Sequence, residues 1–244
     1  KEECGVNILR VKIKKITNWN LFEKGLTMLL IEYAYKHAII DYFGGEKFDL
    51  VLYSTPPVTF AGLINFIKKR DKAKSYLMLK DIFPQNAVDL GIFGRNSLFY
   101  FYFRMKEKAL YKTSDFIGCM SDANIKYLLE HNPQIDNGKV GLCPNTLELF
   151  DDGKFTKFER YNIREKYYIP QDKTVFIYGG NISKPQGVDF LITCLESQAG
   201  NNNTFFIIIG SGSEYAKISD YLKKSKQKNL ILIGQLPREE YYQI

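Results

Sequence analysis

The sequence has few of the residues from which metal centres and disulfide scaffolds are built. Its cysteines lie at positions 4, 119, 143 and 194, and its two histidines are His37 and His131. The cysteines have no metal-type spacing and three of them sit in apolar surroundings, so we expect core thiols and no disulfides. Each histidine lies in a helix-like segment, where packing or surface exposure is the commoner role. Zinc chemistry and a Ser-His nucleophile are therefore disfavoured.

Long apolar runs are also absent from the sequence. None approaches the roughly 20 residues that cross a bilayer, and no signal-peptide pattern opens the chain, so we expect a cytoplasmic protein. With 45% apolar and 15% aromatic residues, the 244 residues suffice for one or two buried cores. The chain does not begin with Met and stops inside an amphipathic segment at Ile244. We therefore expect a piece of a longer protein, truncated at both ends.

Acidic residues are fewer than basic ones, 27 against 34, which gives a net charge of +7. The basic residues form three clusters: Lys12, Lys14 and Lys15; Lys68, Lys69, Arg70, Lys72 and Lys74; Arg104, Lys106 and Lys108. Such clusters are usually solvated faces, and the alternative is peripheral contact with an anionic membrane. No nucleic-acid module accompanies the charge, so we expect no nucleic-acid partner. The run LFYFYF (98–103) favours a buried helix face, with docking at a bilayer interface as the alternative.

Strand-like and helix-like segments alternate along the whole chain. The first half contains VNILRVK, a helical 22–43, FDLVLYS, a helical 58–71, SYLMLKDIF, a helical 95–112 and FIGCMS. This alternation predicts an α/β fold with parallel sheets. A charged segment, 147–172, has weak strand signals and separates two strand-rich halves. We therefore predict two Rossmann-like domains, 1–146 and 147–244, with a hinge near 146–150 and a ligand cleft between them.

The second half repeats one pattern three times, an apolar run followed by glycine and a helix-like segment. The repeats are TVFIYGGNISKPQG (174–187), TFFIIIGSGSEY (204–215) and NLILIGQLPREEYYQ (229–243), the last with Pro237 placed for a first helical turn. Because the carboxyl ends of parallel strands meet at one edge, Gly180, Gly210 and Gly234 are expected around one pocket. A helix starting near Gly187 and the Lys184 ammonium favour a diphosphate there. A plain strand-to-helix connection is the alternative, and the missing GxGxxG disfavours NAD.

Together these segments resemble the family-4 glycosyltransferases of the GT-B fold, particularly the bacterial fucosamine-type transferases of polysaccharide and O-antigen assembly. The motifs that carry the resemblance are FDLVLYSTPP (48–57), LKDIFPQNAVDLG (79–91), IGCMSDAN (117–124), CPNT (143–146) and YGGNISKPQGVDFLI (178–192). The resemblance implies a nucleotide-sugar donor on the second domain, an acceptor on the first, and transfer with retention. No metal or other cofactor is expected, and Asp151 and Asp152 are interpreted as surface charge instead of a metal-binding DxD motif.

The resemblance also implies a set of donor-binding residues in the second domain. They are Gly179, Gly180, Asn181, Lys184, Gln186, Gly187, Gly210, Ser211, Gly212, Gln235 and Leu236. Family members commonly carry Arg and Lys where this chain has Asn181 and Gln186. Lys184, between them, is then expected to supply the cation, with the two amides donating neutral hydrogen bonds. The resemblance implies uridine as the base, read by the backbone at Gln235 and Leu236.

The first domain offers candidates for the acceptor side of the reaction. Asp81 follows a strand and is predicted to orient the acceptor hydroxyl or accept its proton, with a helix cap as the alternative role. Ser54, Thr55 and Asn145 are predicted to lie beside the acceptor, and each is equally suited to a turn or cap.

The resemblance therefore implies a glycosyltransferase that moves a sugar from a UDP-sugar to a lipid-linked saccharide at the inner membrane face. Two alternatives remain: a nucleotide-sugar-binding regulator without turnover, and a GT-B nucleotide-sugar epimerase. The family's pair of glutamates, seven residues apart, belongs to a later segment that this sequence does not reach. Whether the piece catalyses transfer by itself is left open at this point.

Overall fold

The computed structural model describes residues 1–13, 21–147 and 155–244, and for residues 21–29 the backbone alone. The chain divides into two compact units, Lys1–Leu147 (unit 1) and Glu148–Ile244 (unit 2). Each is an α/β unit with a parallel sheet, as predicted. Most of the predicted hinge, and both Asp151 and Asp152, lie outside the described residues. None of the described helices is both long enough and apolar enough to span a bilayer.

Unit 1 is built on a four-stranded parallel sheet in the order β3-β4-β5-β6. Its elements are β1 Glu2–Glu3, β2 Val6–Asn7, α1 Leu21–Phe43, β3 Leu50–Ser54, α2 Ala61–Asp71, β4 Lys74–Leu79, α3 Gln85–Asp89, α4 Leu98–Thr113, β5 Phe116–Cys119, α5 Asp122–His131 and β6 Val140–Leu142. Leu77 and Ile117, which are register partners on β4 and β5, are buried in its core beneath Leu110 of α4. The predicted alternation of strands and helices is thus confirmed from α1 onward.

The predicted first strand, VNILRVK, is wrong for most of its length. Only Val6–Asn7 is extended and paired, in a short antiparallel hairpin with Glu2–Glu3. In the described part of the chain this segment has no neighbour in the four-stranded sheet. An apolar pattern becomes a stable strand only where another strand satisfies its backbone groups.

A charged cluster joins β4 to β5 at the end of the sheet where these strands begin. Asp115 accepts hydrogen bonds from the Ser75 amide at 2.8 Å and from the Ser75 hydroxyl at 2.9 Å. The Lys68 ammonium, on α2, lies 2.8 Å from the same carboxylate oxygen. Burial raises the pKa of Asp115, but the hydrogen bonds from Lys68 and Ser75 outweigh it and hold the pKa below its usual value.

The aromatic start of α4 is more exposed than the sequence suggested. Ser97 caps the helix by accepting a hydrogen bond from the Tyr100 amide. Phe103 is buried, as predicted, but Leu98 is 88% exposed, Phe99 52% and Phe101 58%. The expectation of a buried face is therefore wrong for these three residues. The aromatic run 98–103 predicts a helix with an apolar face, but it does not determine whether other parts of the protein pack against that face.

Unit 2 is built on three parallel strands in the order β7-β8-β9. Its elements are α6 Lys157–Lys166, β7 Thr174–Asn181, α7 Val188–Ser197, β8 Thr204–Ser211, α8 Tyr215–Ser225, β9 Leu230–Ile233 and α9 Arg238–Gln243. Alternate residues of β8 enter two cores, Ile207 beside Ile163 of α6 on one face and Ile208 beside Leu195 of α7 on the other. A strand covered on both faces explains the continuous apolar run in the sequence.

The charged segment 147–172 does more than separate two halves. Its described part forms α6, which opens with a capping box in which Thr156 and Glu159 bond each other's backbone amides. Ile163 and the following Ile169 are buried in a core of unit 2. These two isoleucines hold the described part of this segment against unit 2, despite its charge.

Gly179, Gly180 and Gly210 lie within strands instead of turns, which corrects the prediction for these three glycines. Gly212 follows the end of β8, and its carbonyl accepts a hydrogen bond from the Tyr215 amide at 3.2 Å in a turn, as predicted. Strand β7 continues through Gly179 and Gly180 to Asn181, paired residue by residue with β8 up to Ser211. The chain turns only afterwards, through a short 3-10 turn at Lys184–Gln186 that leads into α7. Pairing with β8 extends the strand, because the ladder satisfies the backbone groups of the glycines.

Candidate functional site

A pocket of about 610 Å³ opens at the carboxyl ends of the three strands of unit 2. The described residues that line it are Gly179, Gly180, Asn181, Ile209, Gly210, Ser211, Gln235, Leu236, Arg238, Tyr241 and Tyr242. Seven of the predicted donor-binding residues are among them, from all three strand ends. Lys184, Gln186, Gly187 and Gly212 are not, although each lies close by in sequence. This is the edge where parallel sheets bind their ligands.

Two of the lining glycines are required by close packing. Gly210 has φ +147°, and a Cβ on it would overlap the carbonyl oxygen of Gly180 on the neighbouring strand. A Cβ on Gly179 would overlap the ring of Tyr241. Side chains are thus excluded where the two strands end, and the backbone itself forms the pocket wall. Exposed backbone suits a ligand with many hydrogen-bonding oxygens, such as a diphosphate.

The loop after β7 is closed by a chain of neutral hydrogen bonds. The Asn181 side-chain amide donates to the Ser183 hydroxyl at 3.0 Å, and that hydroxyl donates to the Gln186 side-chain carbonyl at 2.6 Å. Ser183 is buried, and Gly187 then takes a left-handed conformation, with φ +67°, before α7 begins. The two positions where the resemblance implies cations therefore hold amides that are linked through one serine.

The second and third strand ends are also joined. The Gln235 amide donates to the Ser211 hydroxyl at 2.9 Å. Leu236, which follows, is partly buried against the core that contains Ile207 and Ile209. This contact holds the segment after β9 beside the end of β8.

Sequence reasoning missed the contribution of α9 to the pocket. Arg238, Tyr241 and Tyr242 line it, and their spacing of three and four residues places them on one helix face. Pro237 immediately precedes the helix, one position earlier than predicted. The Arg238 Nε donates to the Tyr242 hydroxyl at 3.1 Å, and the guanidinium carbon lies 5.3 Å from the Tyr242 ring centroid. The REEYY sequence after a strand-ending Gly was the signal that could have revealed this face.

The pocket in unit 2 suits an anion. Among the described residues that line it, Arg238 carries the one formal charge and no carboxylate is present. Across the described part of the chain, no group of three or more His, Cys, Asp or Glu is placed to hold a metal ion. Binding at this pocket would thus rest on backbone groups, neutral side chains and one guanidinium.

In unit 1, Asp81 lies beyond the carboxyl end of β4, beside the loop that follows β3. The Thr55 hydroxyl donates to the Asp81 carbonyl at 3.0 Å, and the Asp81 amide approaches the same hydroxyl at 3.4 Å. Thr55 is buried, so it ties the two loops together, whereas Asp81 is exposed. Helix α3 has Pro84 at its N-cap, so the alternative role of Asp81 as the cap is not observed. Ser54 is half-buried at the end of β3, and Asn145 is exposed after β6.

A buried polar network packs beneath the segment that follows Asp81. Glu107 of α4 contacts Arg104 and accepts a hydrogen bond from the Tyr111 hydroxyl at 2.6 Å. Burial raises the pKa of Glu107, and the hydrogen bond from Tyr111 and the charge of Arg104 oppose that rise. A cavity of about 20 Å³ beside these groups is closed by Ile82 and Pro84. The network therefore supports the loop that carries Asp81.

Comparison with known proteins finds similarity over unit 2 and over most of the chain. Residues 159–244 match the family model of the glycosyl transferases group 1. This segment contains all three strands of unit 2 and every described residue that lines the pocket. The chain is 22% identical to "Probable glycosyltransferase WbjE" of Pseudomonas aeruginosa over 227 residues. The aligned region covers 90% of this chain and 53% of that protein. The chain spans about half the length of this curated relative.

Two solved structures have a similar fold. WaaG, a glycosyltransferase involved in lipopolysaccharide biosynthesis, aligns over 98% of this chain and 60% of its own, with a TM-score of 0.65 and 14% identity. Alr3699/HepE of Anabaena, solved in complex with UDP and glucose, aligns over 89% of this chain and 53% of its own, with a TM-score of 0.60 and 12% identity. At these identities the likeness shows the fold, which is the α/β fold with parallel sheets of GT-B glycosyltransferases. The family model and the curated relative are both described as glycosyltransferases.

Proposed function

We propose that the chain is part of a glycosyltransferase that takes a sugar from a UDP-sugar and adds it, with retention, to a lipid-linked saccharide in cell-surface polysaccharide assembly. The observation that carries the proposal is the pocket at the strand ends of unit 2, which lies wholly within the segment that matches the glycosyl transferases group 1. Alr3699/HepE, which has a similar fold, has been solved with UDP and with UDP-glucose. WaaG, also similar in fold, is involved in lipopolysaccharide biosynthesis.

In this proposal unit 2 binds the donor. The leaving group is a nucleoside diphosphate, whose negative charge grows as the bond to the sugar breaks. Backbone amides and a cation that are already in place stabilise such charge without reorganising. The exposed strand ends at Gly180 and Ser211 and the amides of Asn181 and Gln235 provide donors of this kind. The base is assigned to Gln235 and Leu236, and the loop that carries Gln186 to the diphosphate side. Lys184, which does not line the pocket, is kept as a more distant cation.

In the same proposal unit 1 binds the acceptor. Asp81 is exposed at the carboxyl end of its strand, and its backbone is fixed by Thr55. A carboxylate held in this way can orient an acceptor hydroxyl and accept its proton. Thr55 itself is buried and bonded to Asp81, which supports a positioning role for it. Ser54 and Asn145 are assigned to contacts with the acceptor.

Calorimetric titration of the full chain with UDP and UDP-glucose tests the donor assignment. We expect dissociation constants in the micromolar range for UDP and at least tenfold weaker binding of GDP and ADP, about 1.4 kcal/mol. Absence of binding to every nucleoside diphosphate would contradict the proposal. Equal binding of all three would refute uridine as the base while leaving the diphosphate site intact.

Two other functions are separated from transfer by a second assay on the intact protein. A binding regulator would retain UDP-sugar without releasing UDP. An epimerase would hydrolyse or rearrange the UDP-sugar without an acceptor. We expect UDP release from the UDP-sugar to rise at least tenfold when a lipid-linked saccharide extract is added, and release independent of that extract would contradict transfer.

Peripheral membrane contact is the remaining part of the proposal. Leu98, Phe101 and Met105 are exposed at helical spacing along α4, and basic residues continue the same helix at Lys108 and Lys112. An apolar stripe that continues into lysines matches the boundary between acyl chains and anionic headgroups. A lipid-linked acceptor would be presented at that boundary.

Sedimentation with vesicles tests this contact. The full chain is expected to bind vesicles that contain phosphatidylglycerol, and the double variant Leu98→Ser, Phe101→Ser is expected to bind at least fivefold less. Phe190→Ser, at a 75% exposed position of unit 2, is the matched control and should bind like the unchanged chain. Equal loss in both variants, or no binding by the unchanged chain, would contradict membrane contact through α4.

A further inference from the structure

The pocket in unit 2 poses a charge problem if its ligand is a nucleoside diphosphate, as the proposed function requires. Two or three negative charges would enter a site whose described lining holds one formal charge, that of Arg238. The positions that the resemblance assigns to cations hold Asn181 and Gln186, and both amides are bonded to Ser183. Lys184 is exposed on the 3-10 turn and does not line the pocket.

Arg238 is prepared for an anion by its neighbours. Its Nε donates to the Tyr242 hydroxyl, which fixes the guanidinium beside that ring. One of its five N–H groups is used in this bond, and the other four are on the two terminal nitrogens. The carboxylate of Glu240, on the same helix, lies 2.8 Å from the Lys166 ammonium. A guanidinium held by a ring on one side presents its planar edge to a phosphate with two parallel hydrogen bonds.

The end of β7 packs closely against α9, the helix that carries Arg238. Tyr241, one residue before Tyr242, occupies the space that a side chain on Gly179 would need. The first strand end and α9 therefore approach each other across the backbone of a glycine. Gly180 and Arg238 line the same pocket, so a phosphate against the backbone at Gly180 would share that pocket with the guanidinium.

We infer that Arg238 is the residue of this chain that binds the donor diphosphate electrostatically, in place of the cations expected at positions 181 and 186 and in preference to Lys184. This inference rests on the proposed function, because it concerns the same pocket. It makes the beginning of α9, instead of the loop after β7, the source of charge for the leaving group. Lys184 then adds at most a long-range attraction from the rim.

The test compares the ligand affinities of three variants of the full chain, Arg238→Gln, Arg238→Lys and Lys184→Gln. Affinity for UDP is measured by calorimetry, and affinity for uridine by ligand-observed NMR. Arg238→Gln is expected to weaken UDP at least tenfold and uridine less than twofold, because uridine has no phosphate. Arg238→Lys should recover part of the UDP affinity, since the charge remains but the paired hydrogen bonds are lost. Lys184→Gln is expected to weaken UDP less than threefold. Lys223→Gln, an exposed lysine on α8, controls for the loss of one positive charge.

The outcomes that would overturn the inference are distinct from failure of the proposed function. Equal weakening of UDP and uridine by Arg238→Gln would assign Arg238 to the base. An unchanged UDP affinity in Arg238→Gln, or a larger loss in Lys184→Gln, would assign the diphosphate cation elsewhere. If the unchanged chain bound no UDP, GDP or ADP, the proposed function would fail and the inference with it. Melting temperatures of all variants, measured without ligand, establish that each is folded.

Discussion

The two units use the same edge of a parallel sheet in opposite ways. In unit 2 the strands end in glycines, so that backbone lines a pocket of about 610 Å³. In unit 1 the strands end in hydroxyl and proline residues, and Thr55 binds the backbone of Asp81. Unit 2 brings the backbone of its strand ends to the wall of a pocket, whereas unit 1 uses the Thr55 hydroxyl to fix the backbone of one exposed carboxylate. The same architecture thus lines a pocket in one unit and fixes the backbone of an exposed carboxylate in the other.

The charges of the two units follow the same division. The described lining of the pocket in unit 2 has one guanidinium, Arg238, and no carboxylate, which suits an anionic ligand. The corresponding edge of unit 1 carries Asp81, which suits a hydroxyl that must lose a proton. If this comparison is right, substitutions in unit 1 and unit 2 should affect different steps of the reaction.

The largest effect is expected for Asp81→Asn in the intact protein. Loss of a general base typically lowers the rate by about 10²-fold to 10⁴-fold. UDP affinity should stay within twofold, because the donor pocket belongs to unit 2. The measurement is sugar transfer to a lipid-linked saccharide beside a UDP titration. Asp89→Asn, an exposed carboxylate on the neighbouring α3, is the control, and an equal loss of rate in both variants would refute a specific role for Asp81.

The next largest effect is expected for Gly210→Ala in unit 2. The added Cβ would overlap the Gly180 carbonyl and force a backbone conformation that L residues rarely adopt. Strain of this kind costs about 1–3 kcal/mol before the overlap is counted. Urea unfolding should report the loss, and UDP binding should weaken with it. Gly234→Ala is the matched control because its Cβ would meet nothing within 4 Å. Equal stability of the two variants would contradict the close approach of β7 and β8.

In unit 1, Asp115→Asn should lower stability without changing UDP binding. Hydrogen bonds to a charged group contribute about 1.5–3 kcal/mol each, and the Lys68 pair adds to them. Because the pKa of Asp115 in the folded chain is below its usual value, its stabilisation is present above pH 3.8 and is lost as the pH falls through the folded pKa. The difference between the unchanged chain and the variant should therefore shrink on acidification. Unfolding curves at pH 7 and pH 3 measure this, and a difference that grows in acid would contradict the account. Asp220→Asn, at an exposed surface position, is the control.

The smallest effect is expected for Ser183→Ala. This change breaks the chain of hydrogen bonds from Asn181 to Gln186 and leaves both amides without their shared partner. A neutral hydrogen bond contributes about 1 kcal/mol, so UDP binding should weaken about fivefold. Ser197→Ala, in a helix of the same unit, should bind UDP normally. Unchanged affinity in Ser183→Ala would mean that the loop after β7 does not contribute to the site.

The sequence predicted the parts of the fold that depend on local pattern. The continuous apolar run of β8 predicts a strand covered on both faces. The helical spacing of apolar residues in the segments that follow the strands predicts the helices. It did not predict that β7 would continue through Gly179 and Gly180, because that depends on pairing with β8. Isolated glycines favour a turn until a neighbouring strand satisfies their backbone.

The candidate site was predictable to a similar extent. Topology placed Gly180 and Gly210 at the pocket, and the resemblance placed Ser211 and Gln235 there. Gly234, which topology also placed there, is not among the described residues that line it. Arg238 reaches the pocket because α9 folds back over the strand ends, which is a non-local event. The exposure of Phe101 likewise depends on what packs against α4. Local pattern locates elements, and tertiary packing decides which side chains meet.

The position of a bound nucleotide tests the central claim most directly. Crystals of the full chain grown with UDP should show the diphosphate at the strand ends of unit 2, against the backbone at Gly180 and within hydrogen-bond distance of Arg238. UDP bound anywhere outside this pocket, or no UDP bound at millimolar concentration, would contradict the account.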